Sequence, residues 1–182
     1  VYDIGKTTLT GTFTFGSLLI ASTNTLTVAN GGALTVSGDV NKPPNYSSTS
    51  APNGSNSYSS SMVAQSNGSI LIDGTFYLDG GQTISASGGT ISIKNLNFHS
   101  MNYGVPYLKA SSGGKIVVNQ LTPENYYISP SRGYTETFYV NVADSLSSVE
   151  IGTKGTAIAG SFTVDSGASL NWYQAGSASA QY

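Results

Sequence analysis

The chain contains no cysteine, which excludes disulfides, thiol chemistry and thiolate metal sites. It has a single histidine, His99, a single arginine, Arg132, and a single tryptophan, Trp172. Charge is scarce: 9% of residues are Asp, Glu, Lys or Arg, where about 25% is usual for a soluble domain. The 7 basic residues are spread along the sequence and cannot form the positive surface that neutralises phosphates, so nucleic acid is not an expected partner. No apolar run approaches the ~18 residues that a membrane-spanning helix needs, and membrane insertion is not expected. Good helix formers are sparse, and no segment has the period, caps and length of a helix.

What fills the 182 residues instead is Ser, Thr and Asn, with 22 Gly and 12 Tyr. A surface of hydroxyls and amides keeps its hydrogen bonding in acid, where carboxylates lose their charge, and responds weakly to salt. That chemistry suits an exported protein, so the expected location is extracellular, at a cell or virion surface. The length fits one domain, expected to span 1–182.

The strongest signal is internal repetition. An apolar residue, small polar residues, one or two glycines and an alternating apolar pair recur five times. The copies are Val28–Val36, Ala64–Ile72, Ser85–Ile93, Ala110–Val118 and Val164–Trp172. Their pairs are Leu34/Val36, Ile70/Ile72, Ile91/Ile93, Ile116/Val118 and Leu170/Trp172. Period two places both members of a pair on one side of a strand. The glycine before each pair is expected to supply the positive φ of a sharp corner. Leu26/Val28, Val149/Ile151 and Phe162/Val164 extend the scheme. Intervals between copies are uneven, but those of about twenty residues fit one turn of a three-sided coil of strands. Stacked turns would bury one continuous apolar column.

The segments ANGGALTVSG, SNGSILIDG, ASGGTISIKN and SSGGKIVVN resemble rungs of right-handed parallel β-helix (β-solenoid) proteins. That group includes autotransporter passenger domains, surface adhesins, phage tail spikes and pectin-lyase-like enzymes. The resemblance covers residues 17–121 and, less closely, 145–173. It implies an all-β, right-handed parallel β-helix with inserted loops. A β-sandwich or jelly roll is the alternative, because short alternating strands also specify those folds.

Three segments depart from the repeat. Residues 41–62 read as a loop: prolines and serines without periodicity do not make a strand ladder. Its sequons at Asn45 and Asn53, together with one at Asn67, are candidate glycosylation sites. Residues 122–147 read as a Tyr-rich insertion, in which Tyr126, Tyr127, Arg132 and Tyr134 are the candidate recognition residues, with Phe138 and Tyr139 beside them. Residues 1–16 read as an N-terminal strand that a neighbour could accept by strand addition. Leu9, Phe13 and Phe15 of that strand are its candidate interface residues. Residues 148–182 are expected to return to the coil.

Nothing in the sequence assembles a catalytic site. Asp73 and Asp79 each precede a glycine, as turn residues do. Glu124 and Glu136 could pair as the two carboxylates of a glycosidase, but no local motif joins them. His99 lacks metal-ligand company, and no G-x-S-x-G occurs. No cofactor is expected; calcium held by corner aspartates and carbonyls would be structural. The expected role is therefore a non-enzymatic structural or adhesive subunit of a filament or surface spike, forming a homo-oligomer or homopolymer through its strand edges, with surface glycans as a further partner class. A polysaccharide depolymerase on the same coil and a glycan-binding module are the alternatives.

Overall fold

The computed structural model describes residues 2–4, 6–20, 23–42, 60–79, 81–99, 106–123, 137–154, 159–164 and 169–175. Its strands, in chain order, are β1 (Tyr2–Ile4), β2 (Thr7–Leu9), β3 (Thr12–Phe15), β4 (Leu18–Ile20), β5 (Thr25–Val28) and β6 (Ala33–Val36). There follow β7 (Ser61–Gln65), β8 (Ser69–Asp79), β9 (Thr83–Ser87), β10 (Thr90–His99) and β11 (Tyr107–Ser111). The last are β12 (Lys115–Pro123), β13 (Thr137–Val142), β14 (Ser148–Lys154), β15 (Ala159–Val164) and β16 (Ser169–Ala175). Among the described residues there is no helix.

Successive strands do not pair with each other. One 7-stranded sheet runs β2-β5-β7-β9-β11-β13-β15, and a second runs β3-β6-β8-β10-β12-β14-β16. Every ladder between strands is parallel. The only antiparallel pairing among the described residues is an isolated bridge between Gln65 and Gly88. The chain thus alternates between sheets and climbs one strand per turn, which is a parallel β-helix. A sandwich or jelly roll, built from antiparallel hairpins, is ruled out.

The coil has three faces. β8, β10 and β12 each turn a corner midway and continue onto a third face, where β1 pairs with β4. That face carries a ladder of its own: Leu18 with Val40, Val40 with Phe76, Phe76 with Leu96, and Leu96 with Leu121. At ~4.8 Å between strands, seven turns make a column about 30 Å long.

The repeat dictates the core directly. On the second face Phe13, Leu34, Ile70, Ile91, Ile116, Val149 and Leu170 are register partners in succession. On the first face Leu26, Met62, Ile84, Leu108 and Val140 stack in the same way. Leu26, Met62, Ile84, Leu108, Ile91, Ile116 and Val149 are fully buried, and Val140, Leu34 and Ile70 nearly so. Like side chains over like side chains give a dry interior whose packing repeats at each turn, with stability arising from nearest-neighbour stacking.

Three boundaries differ from the sequence reading. Thr7–Phe15 is not one strand: Thr10 and Gly11 form a corner, so β2 lies in the first sheet and β3 in the second. Alternation survived the bend, which is why the segment read as continuous. The loop expected over 41–62 ends earlier, since Met62 is a buried rung residue of β7. The insertion expected over 122–147 is narrower, since Thr137–Val142 pairs with β11 and β15 as part of the coil. The long connections between Lys42 and Ser60, between His99 and Pro106, and between Pro123 and Thr137 all join the third face to the first.

Candidate functional site

The corners between the first and second faces carry the polar chemistry of the repeat. Their backbone turns through positive φ at Asn30 (54°) and Gly31 (74°), at Ser66 (50°) and Asn67 (63°), at Gly88 (69°), and at Ser112 (55°) and Gly113 (76°). The glycine directly before each apolar pair serves a different purpose. Gly32, Gly68, Gly89 and Gly114 lack positive φ, and a Cβ on any of them would run into the backbone of the preceding turn. On Gly89 it would stand 2.7 Å from the backbone of Ala64, and on Gly32 2.8 Å from the Leu9 carbonyl oxygen. The expected link between that glycine and positive φ is thereby corrected: φ > 0 falls one or two residues earlier, and the last glycine is there for lack of room.

Corner N–H groups turned outward by such a conformation form a concave donor site that favours anions. Each is already filled from the next turn. Gly31 N–H donates to the Ser66 carbonyl at 3.2 Å, Asn67 N–H to that of Gly88 at 2.7 Å, and Gly88 N–H to that of Ser111 at 3.0 Å. At the Ser112–Gly113 corner the acceptor is a carboxylate. Asp144 accepts from Ser112 N–H at 2.5 Å, Gly113 N–H at 3.3 Å, Leu146 N–H at 3.0 Å and the Ser147 hydroxyl at 2.8 Å. These donors, the Ser147 hydroxyl foremost, hold the Asp144 carboxyl below its ordinary range.

The second acidic corner is closed as well. Asp39 accepts from Thr75 N–H at 3.2 Å and lies 3.1 Å from the Lys42 ammonium. Hydrogen bonding to Asp39, then its charge, raises the Lys42 pKa. Asp39 and Asp144 thus both accept from backbone N–H groups, and Asp39 also meets an ammonium. No group of three His, Cys, Asp or Glu residues among the described ones could hold a metal ion.

The sequence-predicted site residues are not brought together. Asn67 is exposed at its corner; Asn45 and Asn53 lie outside the described residues. Leu9 is buried on the first face and Phe15 packs partly buried against the core, whereas Phe13 is 38% exposed although its register places it in the inward column. The cause is its position at the end of the sheet, with Leu34 stacked on one side only. Tyr126, Tyr127, Arg132, Tyr134, Glu124 and Glu136 lie outside the described residues, as do the side chains of Asp79 and His99. Asp73 is exposed at a corner.

A feature absent from the expectations stands on the outer side of the first sheet. Tyr107 and Tyr139 are direct register partners. Their ring centroids are 5.1 Å apart at 59°, and the Lys109 ammonium lies 5.0 Å from the centroid of the Tyr107 ring. The signal was present in the alignment of Tyr107-Leu108-Lys109-Ala110 with Tyr139-Val140-Asn141-Val142. Both segments alternate outward and inward, and both begin on tyrosine.

No protein-family model, no curated protein and no solved structure matches this chain.

Proposed function

We propose that this chain is a non-enzymatic structural subunit of an extracellular filament or a cell- or virion-surface spike, extended by self-association through strand edges. The observation that carries this reading is a seven-turn apolar column of parallel strands whose Phe13, in the inward register of an end strand among the described residues, is partly exposed. β2 and β3 are the end strands of their sheets, and Phe13 exposes 38% of its surface from an inward-facing register position. An unpaired edge offers backbone donors and acceptors to another strand, and the partly exposed Phe13 adds apolar area to any such contact. Head-to-tail contacts that do not close build fibres.

The rest of the molecule fits a mechanical role. Backbone donors at the corners are spent between turns, so the corners add stiffness rather than a binding pocket. Low charge and abundant hydroxyls keep the exterior hydrated over a wide pH range.

Negative-stain microscopy of the purified protein, across concentrations, tests the reading. Rods or fibres that lengthen with concentration and shorten in Phe13→Ser agree with it. Discrete particles of one stubby size at every concentration would remove it.

A further inference from the structure

We propose that the outer side of the first sheet binds polysaccharide, with Tyr107 and Tyr139 as the stacking residues and Lys109 conferring a preference for sugars that carry carboxylates. The proposal is independent of self-association, because β11 and β13 are interior strands, paired on both sides, and neither is an edge strand of the sheet.

This surface excludes several kinds of partner. The backbones of β11 and β13 are paired on both sides, with β9 and β15 as the outer neighbours, so no peptide strand can add here. Lys109 is the only charged residue among the described outward positions of the sheet. One cation is too few to bind a nucleic-acid backbone. Apart from the tyrosines, Val63 is the only apolar residue at those outward positions, which falls short of the apolar patch that marks a protein interface. What remains is two half-buried aromatic rings in contact, set among hydroxyl and amide side chains.

That combination matches a pyranose chain. The C–H side of a sugar ring lies on an aromatic face, while its hydroxyls exchange hydrogen bonds with small polar side chains. Tyrosine supplies rigid amphipathic area with little rotamer entropy to lose. Thr83 stands beside Tyr107 in the ladder, and Ser85 and Asn141 flank Lys109 on either side. Neighbouring strands are ~4.8 Å apart, so these groups form a row along the column axis, as an extended polymer requires. The Lys109 ammonium lies over the Tyr107 ring, 5.0 Å from its centroid, so a sugar stacked on the remaining exposed ring surface of the pair has a positive charge next to it, where a uronate carboxylate would meet it.

Affinity electrophoresis in native gels containing hyaluronate, with dextran gels as the neutral comparison, tests the proposal. The expected result is retardation in hyaluronate that falls about tenfold in apparent affinity in Tyr107→Ala or Tyr139→Ala. Tyr107→Phe should keep most of it, and Lys109→Gln should reduce hyaluronate binding towards the dextran value. Thermal unfolding by circular dichroism confirms that each variant is folded. Should an alanine variant fail to fold, Tyr107→Phe and Lys109→Gln carry the test, since neither removes the ring. No retardation of the wild-type protein in either gel, or retardation unchanged in the folded tyrosine variants, overturns the site. Equal retardation in dextran and hyaluronate overturns the role of Lys109.

Discussion

Gly114 lies against Ala86 of the preceding turn so closely that a methyl group on Gly114 would overlap the Ala86 carbonyl. The same contact recurs between Gly89 and Ala64 and between Gly68 and Val28. The distance between turns is thus fixed at this corner by backbone on backbone. Gly114→Ala should therefore destabilise the protein by about 2–3 kcal/mol through overpacking. Gly16, with nothing within 4 Å of an added Cβ and no positive φ, provides the comparison: Gly16→Ala should stay within about 0.5 kcal/mol. Urea unfolding of both variants checks the pair.

The second prediction concerns the interior. Ile84 is fully buried between Met62 and Leu108 on the first face. Ile84→Ala opens a cavity in the middle of the column and should cost about 3 kcal/mol. Ser85, the next residue, points outward, and Ser85→Ala should change stability by less than about 0.5 kcal/mol. Similar losses at both positions would mean that the strand is not half inside and half outside.

The third concerns pH. The Asp144 carboxyl is held below its ordinary range by the Ser147 hydroxyl and three backbone N–H groups. A carboxyl whose folded pKa is depressed contributes stability that is present above its unfolded pKa, about 3.9, and lost as pH falls through the lower folded value. Asp144→Ala should therefore be less stable than wild type at neutral pH. The gap should close as both are titrated well below pH 4. Chemical denaturation at a series of pH values measures it. A gap that stays constant into strong acid would show that the carboxylate charge is not what the corner uses.

The fourth concerns the buried polar pair at the corner between the third and first faces. Gln82 donates through Nε2 to the Ser60 hydroxyl at 3.0 Å, and both side chains are buried. Ser60→Ala removes the hydroxyl that accepts this buried hydrogen bond and should cost about 1–2 kcal/mol. Replacing both, Ser60→Ala with Gln82→Leu, should recover part of the loss. A double-variant cycle in urea reads the coupling directly.

Much of the fold was readable in the sequence because each turn must bury its own apolar pair. Leu34/Val36 through Ile116/Val118 stack in the order in which they occur, and the interval of about twenty residues is the length of one turn. What misled was alternation that continues through a corner, as at Thr10–Gly11, since a bend between faces need not break a period of two. The two tasks of the Gly-Gly corner could not be separated either, because Gly113 with φ 76° and Gly114 without it look alike as letters. The candidate surface was only half visible. Tyr139 sits beside the candidate tyrosines without being one of them, and its partner Tyr107 lies in another turn, so only the register brings them together.

The central claim is that five successive turns place Leu34, Ile70, Ile91, Ile116 and Val149 in one line through the interior. Methyl-labelled NMR tests it most directly. The account predicts strong contacts Leu34–Ile70, Ile70–Ile91, Ile91–Ile116 and Ile116–Val149, with none between Ile70 and Ile116, two strand spacings or about 10 Å apart. Cross-strand Hα–Hα contacts of antiparallel pairs among these segments, or methyl contacts that skip turns, would contradict it.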